Sequence, residues 1–290
     1  MQAALTHRKL KKPAGVLILI GSPALLIVLL LLFTPSNALP SEYLSISGCS
    51  VSNVGYLTEL AKEYERRTGV KVFVRGGGSV VGIEDLRSGK VDLAASCKPR
   101  DREDPGDVVY VQVAWDALAF IVHKSNPVDN ITLDEVRSIY AAKIDNWGRL
   151  GAPSAPIKVF LSETKMGLSG VEASLKNLVL AGADPVKSPN TLFAASTGIV
   201  EQMVAETPAG FATTGVTSAR KRNVKILKVN GVTPTNKAII LNRYPFRRPL
   251  FLLVPKAAGP AAKRFVDFVL STDGQRFIRS LNVISLQDVK

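Results

Sequence analysis

The sequence predicts an α/β fold built around one ligand crevice, and three observations carry that prediction. β-branched and aromatic runs alternate along the chain with stretches of helical periodicity. Residues 71–99 hold, in order, a strand, a glycine turn, a helix start and a second strand end. Three separate strand-to-helix turns are rich in Ser, Thr and Gly, which suits one ligand held from several sides beyond the carboxyl ends of the strands.

The central stretch is the most informative. Residues 70–74 (Val-Lys-Val-Phe-Val) read as a strand. Gly76-Gly77-Gly78 lets the backbone turn sharply and approach another group closely, since no Cβ intervenes. Ser79 is placed to cap a helix running through Ile83 and Leu86. Residues 91–95 are a second apolar run, ending at Ser96-Cys97-Lys98-Pro99. In such a βαβ unit Ser79 and Cys97 face the ligand.

Upstream, residues 16–33 are almost wholly apolar and follow Arg8, Lys9, Lys11 and Lys12. This reads as a signal or anchor segment with a cytoplasmic N-terminus, close to the ~20 residues that span a bilayer. Small residues at Ser36-Asn37-Ala38 suit a signal peptidase, and the expectation leans to a tether in the cytoplasmic membrane. Either way the chain beyond Pro40 is exported, so nucleic acid is set aside as a partner. The formal net charge is +13, from 37 Lys and Arg against 24 Asp and Glu, and a basic body suits an anionic ligand or an anionic membrane surface. The two cysteines, Cys49 and Cys97, both lie in the exported part, where an even pair is first read as a disulfide.

The remaining elements follow in order. Residues 44–47 are a strand ending in a small polar loop, Gly48 to Asn53. A helix follows with Leu57, Leu60, Ala61 and Tyr64 on one face, and Gly69 stops it. Its free N-terminus is a ready anion site. Residues 108–113 and 117–122 read as two strands broken by Trp115-Asp116. Thr132 or Asp134 starts a helix carrying Val136, Ile139 and Tyr140. Residues 157–161 form a strand, and a loop through Ser169-Gly170 leads to a helix with Leu175, Leu178 and Val179. Ser196-Thr197-Gly198 opens a further helix, Gly210 a strand, and residues 251–254 another. Residues 261–280 read as one last helix with Phe265, Phe268, Val269 and Phe277 on a face.

Catalytic signatures are missing. With only His7 and His123 there is no histidine cluster for zinc. No Gly-x-Ser-x-Gly elbow occurs, and the triple glycine lacks the Lys-Ser/Thr of a nucleotide-binding loop. The expectation is a binding protein with no catalysis and no cofactor.

Several motifs carry a family likeness: Gly76-Gly77-Gly78-Ser79, the run Asp116 to Pro127, Ile144-Asp-Asn-Trp147, Arg248-Pro249-Leu250, and residues 265–271 with Gly274-Gln275. In this order and spacing they resemble the phosphate-binding subunit of bacterial phosphate ABC importers, over residues 44–286. The resemblance implies a two-lobed type II periplasmic binding protein with a hinge, after a tail and signal or transmembrane segment in 1–40. One lobe would comprise 44–120 plus 244–290 and the other 121–243. It also implies phosphate-binding positions at Cys49-Ser50, Ser79, Lys165, Ser169 and Gly170, with Cys97 or Lys98 at the charged position after the third strand. The sequence departs from the family pattern at Lys165 (Arg in the family) and at Val171 (Thr). The implied partners are a small oxyanion such as phosphate and an ABC permease. In a doubly wound sheet the two cysteines would be neighbours lining the cleft. The alternative is a sensor for a thiophilic species, arsenite or a soft metal ion, gripped by Cys49, Cys97 and Met166 and signalling to a membrane kinase.

Overall fold

The computed structural model describes residues 43–100, 106–164 and 167–289. Lys165, Met166 and the apolar run 16–33 lie outside the described residues. Among the described residues no helix is long and apolar enough to cross a membrane.

The chain begins with strand β1 (Tyr43–Gly48). Helix α1 starts at Ser50–Ser52, passes a π-helical turn at Asn53–Leu57 and continues as Thr58–Thr68. Gly69 ends it in the left-handed conformation, its N–H donating to the Glu65 carbonyl. Strand β2 (Lys71–Gly76), helix α2 (Ser79–Arg87) and strand β3 (Leu93–Ser96) complete the first βαβ unit. A long strand, β4 (Val108–His123), leads out of it. Then come β5 (Asn130–Ile131), α3 (Leu133–Tyr140), β6 (Lys158–Thr164), β7 (Gly167–Leu168) and α4 (Gly170–Leu178). After these run β8 (Thr191–Ala194), α5 (Thr197–Glu206), β9 (Gly210–Gly215) and α6 (Val216–Ala219). Strands β10 (Val224–Ile226) and β11 (Lys228–Val229) and helix α7 (Asn236–Ile240) precede the return strand β12 (Arg247–Pro255). Helices α8 (Pro260–Leu270) and α9 (Thr272–Ser280) close the fold.

The main sheet runs β2-β1-β3-β12-β4-β9-β6-β7, with β10 on β4 and β8 on β6. β1, β2 and β3 are parallel on one side, and β6, β8 and β9 on the other. Between them β4 and β12 pair antiparallel. The first part of β4 pairs with β12, and its second part, from Leu118, pairs with β9. The result is a two-lobed α/β fold with a hinge at the crossing strands.

Apolar periodicity places the helices as the sequence predicts. Tyr64 of α1 packs on Phe265 and Phe268 of α8, with ring centroids 5.1 and 5.2 Å apart. Helix α3 opens on a reciprocal cap between Thr132 and Glu135.

Four expectations need correcting. Trp115-Asp116 does not break the strand: both lie within β4, where Asp116 pairs in register with Arg248 and finds its charge partner there. The last helix is two, because the Ser271 hydroxyl accepts from Gly274 N at 3.1 Å and starts α9 afresh. The loop from Gly48 ends early, since α1 begins at Ser50. Ser79 is the first residue of α2 rather than its cap; Gly78 holds that position, and the Ser79 hydroxyl turns toward Cys97.

Candidate functional site

The carboxyl ends of both parallel strand sets meet at the hinge, and helix N-termini gather there. At the end of β1, Gly48 takes φ +136°, and a Cβ on it would lie 2.2 Å from the Ala95 carbonyl oxygen. Only glycine permits that approach, which lets Cys49 N donate to Ala95 O at 2.8 Å. β1 and β3 are adjacent, pairing Gly48 with Ala95, so Cys49 and Cys97 leave the sheet side by side.

Both cysteines are buried and free, which overturns the expected disulfide. The two thiols are close enough to influence each other's ionisation. Burial opposes ionisation of Cys49, but the Cys97 thiol, the nearby Arg248 guanidinium and the Ser52 amide and hydroxyl outweigh it, lowering its pKa to about 6. The neighbouring Cys49 and burial push the Cys97 thiol upward, so Cys49 is the sulfur of the pair that gives up its proton first. Cys97 is fixed further by Ser79, whose Oγ accepts from Cys97 N at 3.1 Å and lies 3.7 Å from its sulfur.

The second lobe closes directly on this cluster. A Cβ on Gly170 would lie 2.7 Å from Ser79 Oγ, 2.8 Å from Lys98 N and 2.9 Å from Cys97 Sγ. The first turn of α4 therefore fits against the first lobe only because residue 170 has no side chain. Ser174 Oγ donates to Gly170 O at 2.7 Å and lies 3.4 Å from Cys97 O across the junction. Ser169 caps α4 by accepting from Val171 N at 3.2 Å, and its hydroxyl is 3.2 Å from that of Thr197 at the start of α5. A small cavity of about 10 Å³ remains between Gly77, Gly78 and Ser79 on one side and Gly167, Ser169 and Ala195 on the other.

Two charged groups under this surface are not evident from sequence. Glu172 is 0% exposed, with Oε1 accepting from Ser162 N at 2.9 Å and Oε2 from the Ser169 hydroxyl. Burial raises its pKa to about 7, against the pull of those donors and Arg248. Arg248 is 2% exposed and pairs with Asp116 at 3.0 Å. Its Nη1 lies 3.4 Å from both Gly170 O and Ser174 Oγ. Burial works against its charge, but Cys97, Asp116 and Cys49 hold it protonated. Asp116 Oδ1 also accepts from Thr217 N at 3.0 Å.

Of the residues singled out from sequence, the structure brings Cys49, Ser79, Cys97, Lys98, Ser169 and Gly170 to one junction and sets Ser50 in the neighbouring groove beside Gly76 and Gly198. Lys98 N donates to Ser96 Oγ at 3.0 Å as β3 ends. Lys165 and Met166, assigned to the same loop, are not among the described residues. Those residues contain no group of three or more His, Cys, Asp or Glu able to hold a metal ion. Ser169-Gly-Val-Glu172 does carry a sequence signal, the Ser-x-x-Glu spacing of a helix start. What that spacing does not convey is that the glutamate is buried.

Comparison with known proteins agrees with this architecture. A family model described as a PBP superfamily domain matches residues 34–273. The phosphate-binding protein PstS of Bacillus subtilis is 27% identical over 241 residues, covering 82% of this chain and 78% of that protein. The PstS protein of Pseudomonas aeruginosa strain PAO1 is 29% identical over 279 residues, covering 83% and 84%. Among solved structures, a putative phosphate ABC transporter substrate-binding protein with bound phosphate from Clostridium perfringens aligns with a TM-score of 0.76 at 25% identity. That match covers 84% of this chain and all of the other. An ABC-type phosphate transport receptor from Vibrio cholerae gives 0.63 at 25% identity, with the same coverage.

Proposed function

The chain belongs to the PBP superfamily, and on that premise we propose that it is an exported solute-binding protein that captures a small oxyanion such as phosphate and presents it to an ABC permease. Residues 44–120 with 244–290 form one lobe in this reading and 121–243 the other. The carrying observation is Gly170 seated against Ser79 and Cys97. It sets the N-terminus of α4 in one lobe facing that of α2 in the other.

The chemistry follows from the donors. Helix N-termini carry unpaired N–H groups and the positive end of the helix dipole, so an anion between two of them is stabilised from both sides. The Ser50 and Ser79 hydroxyls and the Gly170 amide add directed donors, Ser169 lies beside them with its own proton given to Glu172, and Lys98 and Lys165 add charge. A dehydrated oxyanion needs such a set, because each missing donor leaves charge poorly paired. The ligand then bridges the lobes, and closure about the crossing strands gives the permease a surface that the empty protein lacks. A tether through residues 16–33 would keep the protein at the membrane.

Titration calorimetry against phosphate, sulfate and arsenite tests this reading. Phosphate is expected to bind with the highest affinity, and Ser79→Ala to weaken it roughly 10- to 100-fold, the effect of one hydrogen bond to a charged group. Absence of binding by every oxyanion, or an unchanged affinity in Ser79→Ala, would overturn it.

A further inference from the structure

Beside the small cavity lies a much larger groove of about 360 Å³, lined by Ser50, Asn53, Gly76 and Gly77 from one lobe and Ser196, Gly198, Gln202 and Arg222 from the other. Gly77 and Ala195 line both spaces, which therefore adjoin at these two residues. Ser50 is 7% exposed and Ser196 9%, yet neither hydroxyl has a hydrogen-bond partner among the described residues. Both line the groove, one at the start of α1 and the other at the start of α5. Neither oxygen is sealed from the groove, so two partnerless hydroxyls, one from each side, offer directed hydrogen bonds to a ligand lying in it.

The other walls are polar too. Asn53 Nδ2 lies 3.1 Å from the point where a Cβ on Gly76 would sit. Arg222 Nε donates to the buried Glu201 at 2.8 Å, while Nη2 lies 3.7 Å from the Cβ position of Gly198. Because Glu201 balances Arg222, the groove offers donors without a strong net charge. That combination suits a neutral, hydroxyl-bearing group better than a second anion. The glycines at 76 and 198 keep its floor open: a Cβ at 198 would already be 3.3 Å from Ser50 Cβ.

We propose that this groove is a subsite for the alcohol portion of a phosphate monoester. Its phosphoryl group would occupy the oxyanion site, with Ser50 at the border, and its hydroxyls would bond Ser196, Asn53, Gln202 and Arg222. The proposal rests on the oxyanion reading above and narrows the substrate class from the bare anion to small polyol phosphates.

Calorimetry of the full chain with glycerol 3-phosphate and with inorganic phosphate tests it. Glycerol 3-phosphate is expected to bind at least tenfold more tightly than phosphate. Ser196→Ala and, independently, Gln202→Ala should remove that preference while leaving phosphate affinity unchanged. Phosphate binding as tightly as the monoester, or variants weakening both ligands equally, would overturn the subsite and leave the oxyanion site standing. Failure of both ligands to bind would overturn both.

Discussion

Asp116 and Arg248 face each other in register across β4 and β12, both buried and 3.0 Å apart, two residues before β4 begins to pair with the second lobe. The ion pair is also a source of charge for the site, since the guanidinium stabilises the Cys49 thiolate and contacts Gly170 O. Breaking a buried pair leaves one charge uncompensated. Arg248→Met is therefore expected to lower unfolding free energy by ~3–5 kcal/mol in urea titrations, and Asp116→Asn with Arg248→Met together by less than the sum of the two. Additive losses would show that the pair is not coupled.

Gly170→Ala probes closure. The added methyl would collide with Ser79 Oγ, Cys97 Sγ and the Lys98 backbone, and the backbone cannot step aside cheaply. Phosphate affinity is expected to fall about tenfold or more, equivalent to ~1.4 kcal/mol, and small-angle scattering should show a less compact protein at saturating phosphate. Wild-type affinity in this variant would mean that the lobes need not meet at residue 170.

Glu172 sets an acid-side pH dependence. Its pKa is raised from 4.5 unfolded to about 7 folded, so the native state holds its proton more tightly. The associated stability is present in full below pH 4.5 and is lost as pH rises through 7. The loss is on the order of 3 kcal/mol at 1.36 kcal/mol per unit. Urea midpoints of wild type should decline across that window, and those of Glu172→Gln should stay flatter.

Cys49 works in the opposite sense. Its pKa is lowered from 9.0 to about 6, so its stability contribution is present above pH 9 and lost as pH falls through 6. Absorbance near 240 nm should report a native thiolate that titrates near pH 6, a step missing in Cys49→Ser. A bound oxyanion beside that thiolate should raise its pKa. Calorimetry in buffers of different ionisation enthalpy should then show proton uptake by wild type that Cys49→Ser lacks.

Much of this was legible in the sequence because it depends on local rules. Val and Phe runs mark β2, Gly69 ends α1, and small residues crowd each strand-to-helix turn. The adjacency of Cys49 and Cys97 follows from neighbouring parallel strands. Their state does not, because whether two neighbouring sulfurs come within bonding distance depends on how each chain leaves its strand, and their ionisation on Arg248, far away in sequence. The same limit hides Glu172, whose type is usually exposed and whose burial is decided by how α4 packs. Trp115-Asp116 looked like an interruption because a charge inside an apolar run is costly until its partner on β12 is seen.

The paired β4 and β12 act as a short axle on which the two jaws turn. Displacement grows with distance from an axle, so Trp115, whose amide is tied to Ile284 O at 2.8 Å beside the Asp116–Arg248 pair, hardly travels. Trp147 is packed inside one jaw, its Nε1 bonded to Ala209 O at 2.9 Å, and is carried along with its surroundings. Both indoles keep their neighbours in every position of the jaws, which makes intrinsic emission a silent gauge. A dye at Asn53 or Gln202, out on the rim, would register the full swing.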